Sequence, residues 1–262
     1  METDYQIARH RIIVIQSLCT PYKETGYELF HDILQYKNFY RNDSFAEFYS
    51  VNSRNDFLQK INEILNSVNK GETITLHFET HGEEKGVVLN SKEIVSWEDF
   101  DNAVRPINEK ISNLLIVVMA MCKGGALLSH IDPERRCPYL AFVGSFKNVL
   151  EDEVRESFTA FYSDYFSPLD IHKSMIALNR YYTSAHKKSP FGCFSAEFIF
   201  DKTFDTDRDS KYFHSLIELN CSRKYGDCSN EHLEIVKKEV KGLFDFAKQK
   251  RDYFLFRDVY KE

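Results

Sequence analysis

The run "LLIVVMAM" at 114–121 constrains this chain most, because all eight residues are apolar and none offers a polar face. It is far short of the ~20 residues that a membrane span needs. A strand of this composition has to be covered on both sides, as in parallel sheets flanked by helices. "RIIVIQSL" (11–18), "TITLHF" (73–78) and "YLAFVGS" (139–145) read as further strands of the same sheet, and "SFAEFYSV" (44–51) alternates as a strand does. "FGCFSAEFIFD" (191–201) reads as a sixth.

Helical patterns lie between these strands. In "SRNDFLQKINEILNSVNKG" (53–71), Phe57, Leu58, Ile61, Ile64, Leu65 and Val68 recur at helical spacing. Ser53 with Asp56 three residues on forms an N-cap, and Gly71 supplies a stop. "TGYELFHDIL" (25–34) reads as a helix, and "SWEDFDNAVRPINEK" (96–110) as one begun by Ser96 and kinked or ended at Pro106. "EVRESFTAFYSDYF" (153–166) carries an aromatic stripe, and a further helix starts at Asp170. Strands alternating with helices predict an α/β fold, a three-layer sandwich with a mostly parallel sheet of about six strands and helices on both faces. A short hairpin is expected around Val87 to Leu89.

With only 10 glycines and 6 prolines and no repeat, the 262 residues read as a single domain, 1–262. Its core covers about 10–201, and a charged helical extension follows over 202–262. In that extension Leu233, Val236, Val240, Leu243, Phe244 and Ala247 share one face. The net charge of −6 argues against nucleic acid as a partner. The apolar run "IIVI" (12–15) is too short for a signal peptide, and nothing is long enough to span a membrane. Six cysteines without a CxxC pair are expected to be reduced thiols, which points to a cytoplasmic setting.

In open parallel sheets, function gathers beyond the carboxyl ends of the strands. Cys19 follows the first strand, His81 and Gly82 the third, Cys122 to Gly125 the fourth, and Ser145 the fifth. If the third and fourth strands are neighbours, His81 and Cys122 emerge side by side. A thiol beside an imidazole is the simplest nucleophile and base pair, since the thiolate is the attacking species. The amides of Gly82 and Cys122 are suited to hold an oxyanion, and Gly124 and Gly125 to leave room around the thiol. Cys19, Ser145 and Asp152 are candidate substrate contacts, with a semi-buried thiol and a helix cap as the plainer readings of Cys19 and Asp152. His77 lies within a strand and reads as a satisfied sheet-face histidine. A zinc set of His77, His81 and Cys122 is disfavoured, because H-x-x-x-H suits a helix and no fourth ligand is present. The chain after the first strand has no G-x-G-x-x-G pattern, which disfavours a nucleotide-binding reading.

"THGEEKGVV" followed by "VMAMCKGG" resembles the His-Gly and Cys-x-Gly signatures of the caspase-like (clan CD) cysteine peptidases. That group includes caspases, metacaspases, clostripain, separase and the prokaryotic CHAT-domain proteases. "EIVSWEDFDNAVRPINEK" and "LAFVGSFKNVLEDEVRESFTAFYSDYF" are similar to the CHAT segments before and after the cysteine, and the likeness spans roughly residues 10 to 200 in order and pattern. It implies the caspase-hemoglobinase fold, with Cys122 as nucleophile, His81 as proton-transfer partner, Gly82 and Cys122 as oxyanion donors, and no metal or organic cofactor. It further implies a cysteine endopeptidase acting on a protein substrate, such as a gasdermin-like or other defence-system protein. An activating sensor partner or a homo-oligomer would regulate it. Ala120 stands where caspases have Gln, and His81 and Cys122 are 41 residues apart against ~50 in caspases. Ala120 and Met121 supply no acid to receive a basic side chain. The alternative is a pseudoprotease that keeps the cleft and serves as an adaptor or scaffold.

Overall fold

The computed structural model describes residues 9–18, 21–41, 45–129, 132–205, 211–226 and 228–260. These fall into two compact units, one drawn from Met1–His130 with Pro138–Ser195 and the other from Ile131–Cys137 with Ala196–Glu262.

The first unit runs β1 (His10–Gln16), α1 (Thr25–Leu29), a π-helical turn (Phe30–Leu34), α2 (Gln35–Arg41), β2 (Ala46–Ser50), α3 (Arg54–Ser67) and β3 (Thr73–Glu79). It continues with the short strands β4 (His81–Glu83), β5 (Gly86–Val88) and β6 (Ile94–Ser96), then α4 (Trp97–Lys110) and β7 (Leu115–Met119). A 3-10 turn (Gly124–Ser129), β8 (Ala141–Ser145), α5 (Glu151–Ser163), α6 (Ile171–Ser184) and β9 (Phe191–Ser195) complete it. The main sheet has six strands in the order β2-β1-β3-β7-β8-β9. All its pairings are parallel except β8 with β9. The expected α/β architecture, a six-stranded mostly parallel sheet with helices, is therefore present.

Burial explains the strand composition, since every residue of β1, β3 and β7 is buried. On one face Ile12, Val14, Ile116, Val118 and Val143 pack with Phe158, Phe161, Tyr162 and Tyr165 from α5 and its end, and with Leu178 and Tyr182 of α6. On the other, the rings of Phe57 (α3), Phe78 (β3) and Phe100 (α4) stand 4.9 to 6.0 Å apart. Each fully buried aromatic contributes about 2–3 kcal/mol of transfer free energy. The α3 N-terminus closes as expected. Ser53 Oγ accepts from the Asp56 amide, and the Asp56 carboxylate accepts from the Ser53 amide.

Several expectations need correction. Pro106 neither ends α4 nor marks its limit, for the helix continues to Lys110. The stretch 25–34 divides into α1 and a π-helical turn. The segment 191–201 is a strand only to Ser195. Beyond it Ala196, Ile199 and Phe200 recur at helical spacing and are buried as a helix. The expected hairpin is a three-stranded antiparallel sheet, β4-β5-β6.

The second unit holds α7 (Ala196–Thr203), α8 (Lys211–Tyr225), α9 (Asn230–Gln249) and α10 (Arg251–Phe254). Phe213, Ile217 and Cys221 of α8 meet Val236, Val240 and Phe244 of α9 in one cluster. Leu243, expected on the apolar face, is exposed. No helix among the described residues is long and apolar enough to cross a membrane.

Candidate functional site

β3 and β7 are neighbours in register, with Phe78 opposite Met119. One further ladder bond runs from the Ala120 amide to the Phe78 carbonyl, 3.0 Å. The two chains then leave the sheet at the same edge, one carrying His81 and the other Cys122. Both side chains line a single cleft of about 60 Å³, with Leu18, Thr25, Thr80, Ala120, Met121, Val149, Glu151 and Val154. That volume has room for a few waters.

Gly82 explains how closely these chains approach. A Cβ built there would lie 2.0 Å from the Cys122 carbonyl oxygen and 3.0 Å from Met121 Cγ. No side chain fits that contact, so the glycine is required by the meeting of the two segments. Trp97, buried at the start of α4, donates from Nε1 to the Glu84 carbonyl at 3.0 Å and fixes the β4–β5 turn. Lys123 takes a left-handed conformation (φ 52°) directly after the cysteine, a strained backbone of the kind that clusters at functional sites. Gly124 and Gly125 have a different role from the one expected. Added Cβ atoms would meet Met119 at 2.6 Å and the Phe146 ring at 2.7 Å, so they allow packing rather than clear space for the thiol.

Cys122 is half-buried and in no disulfide. The Val149 amide donates to its Sγ at 3.3 Å, and the Val149 carbonyl lies 3.5 Å away as an acceptor. The Cys122 amide itself has no acceptor among the described residues, which leaves it available to an oxyanion. No hydrogen bond joins Sγ to His81 among the described residues, a common state for catalytic pairs without substrate.

His81 is half-buried, with its Nε2 buried and unpartnered among the described residues. Tyr22 packs edge-on against it, ring centroids 4.2 Å apart. Burial lowers its pKa below the usual 6.5, Lys92 lowers it further, and Glu151 opposes both. The imidazole is thus neutral at neutral pH and able to accept a proton.

His77 is a satisfied sheet-face residue, as expected. Its Nε2 faces Glu79 Oε1 at 2.9 Å and its Nδ1 the Tyr162 hydroxyl at 3.1 Å. The second carboxylate oxygen of Glu79 accepts from the Thr25 hydroxyl. Both ring nitrogens are therefore engaged away from His81, which removes His77 from any joint ligand set. Among the described residues no group of three or more His, Cys, Asp or Glu is arranged to hold a metal.

The remaining candidates are placed differently. Cys19 lies outside the described residues. Ser145 is wholly buried, and its hydroxyl closes the turn after β8 by bonding the Lys147 carbonyl and amide at 3.1 and 3.0 Å. Asp152 is exposed and pairs with Lys23 Nζ at 2.6 Å, which holds its carboxyl below the usual range. It does not cap α5, whose N-cap is Leu150. Sequence reasoning missed Tyr22, Thr25, Thr80 and Glu151. Pro21 before Tyr22, five residues past the end of β1, was the one available signal. No protein-family model matches this chain, and no curated protein matches it.

Proposed function

We propose that the protein is a cysteine endopeptidase of caspase-like type, with Cys122 and His81 as its working pair. The observation that carries the proposal is the convergence of both side chains on one cleft, where Gly82 lies against the Cys122 carbonyl. In the proposed reaction the Cys122 thiolate adds to a peptide carbonyl, and the oxyanion is held by the amides of Gly82 and Cys122. The proton taken up by His81 passes to the leaving amine as the C–N bond breaks. Water then adds to the thioester, His81 accepting its proton, and expulsion of the thiolate frees the new carboxylate.

The motif likeness extends the proposal to regulated cleavage of a partner protein in a prokaryotic defence or cell-death system, within the cytoplasm. Tyr22 against His81 and the engagement of the thiol with Val149 also suit a scaffold that keeps the cleft without turnover. The two readings separate in one experiment. Purified protein and its Cys122→Ala variant are incubated with a denatured protein mixture, and new amino termini are sequenced. We expect termini that appear with the wild type alone. Their absence at matched concentration rejects the peptidase reading.

A further inference from the structure

We propose that Glu151 sets the specificity of the cleft for a basic side chain, lysine or arginine, in the residue before the cut. The inference rests on the peptidase reading above and names its substrate class.

The cleft wall beside Cys122 and His81 is mostly apolar, being made by Leu18, Ala120, Met121, Val149 and Val154. Its two threonine hydroxyls are already committed. Thr25 donates to Glu79, and Thr80 donates to the Val88 carbonyl at 2.6 Å. Glu151 is then the single carboxylate of the lining, and no lysine or arginine stands in the lining beside it. An entering carboxylate would meet Glu151 and find no side-chain cation in exchange.

Glu151 begins α5, whose first turn also holds Asp152 and Glu153. A helix N-terminus favours anions, which would oppose a cationic guest. The full charge of one unpaired carboxylate exceeds that half charge. Asp152 is neutralised by Lys23 at 2.6 Å and Glu153 by Lys187 at 2.6 Å. Glu151 has no cationic side chain within ion-pair distance among the described residues; its carboxylate accepts from the Lys23 backbone amide at 3.5 Å. Lys92 is exposed and outside the lining, though near enough to influence His81. A lysine or arginine guest would lay its methylenes on the apolar wall and bring its head group to Glu151 at the rim, as long basic side chains do elsewhere.

The test uses two peptidyl acyloxymethyl ketones that differ only in the residue next to the warhead, lysine or its uncharged near-isostere norleucine. Sγ displaces the carboxylate leaving group and forms a thioether, so the rate of adduct formation at Cys122 is read by mass spectrometry. We expect the lysyl probe to react about fivefold faster, the size that an ion pair at a half-exposed rim supplies. The ratio should fall to near one in Glu151→Gln, survive in Glu151→Asp, and stay within twofold in Asp152→Asn. Equal rates for both probes in the wild type, or a lysine preference that persists in Glu151→Gln, overturn the inference while the peptidase reading stands. If neither probe labels Cys122, both fall.

Discussion

At the scale of single residues, Gly82 carries the sharpest consequence. Replacing it by alanine places a methyl 2.0 Å from the Cys122 carbonyl oxygen, so one backbone segment must shift. We expect Gly82→Ala to cost about 1–3 kcal/mol in stability, measured by chemical denaturation. A displacement of ~1 Å at a reacting centre costs about 100-fold, which peptide-probe labelling of Cys122 would register. His81 yields a second prediction. Its folded pKa is lowered, so the unfolded chain binds more protons between that value and 6.5. Stability from this residue is present above pH 6.5 and is lost as the pH falls through that window. NMR titration should place the His81 midpoint below 6.5, lower still in Glu151→Gln and higher in Lys92→Gln. His81, Gly82 and Cys122 were legible because strand ends in a parallel sheet can be found from apolar runs. Tyr22 and Glu151 were not, because one reaches the His81 ring from a loop and the other reaches the cleft from a helix start, and no periodicity encodes either direction. Ser145 misled for the opposite reason, standing at a strand end with its hydroxyl spent on a turn.

Between elements, the polar pairing beneath the sheet links α5 to the cleft wall. Tyr162 of α5 bonds His77 of β3, which faces Glu79, which in turn accepts from Thr25 of α1. Tyr162→Phe removes the only described partner of a buried His77 nitrogen, and we expect it to cost about 1–3 kcal/mol in thermal or chemical denaturation. Ser53→Ala breaks the cap of α3 and should cost about 1 kcal/mol. The start of α3 was readable to within a residue because the Ser53 cap and the apolar stripe agree, but the helix ends at Ser67, short of the Gly71 read as its stop. The segment 191–201 was misread because its phenylalanines at 191, 194, 198 and 200 do not separate the strand that ends at Ser195 from the helix that begins at Ala196. Pro106 was read as a break on its missing amide, yet α4 absorbs it, with Val104 and Ile107 on either side both buried.

For the whole molecule, the sheet order follows from composition, since strands buried on both faces occupy the centre and the alternating β2 lies at an edge. The placement of His81 and Cys122 in one cleft is a consequence of that order, because β3 and β7 are adjacent. The central claim is that the two side chains act as one unit. It is tested most directly by the rate at which a peptidyl electrophile modifies Cys122 near pH 7, compared with exposed Cys228 and with His81→Ala. The account predicts modification at Cys122 at least ~100-fold faster than at Cys228, and a fall of about 100-fold or more in His81→Ala. Labelling of Cys122 no faster than Cys228, at a rate indifferent to His81, would contradict it.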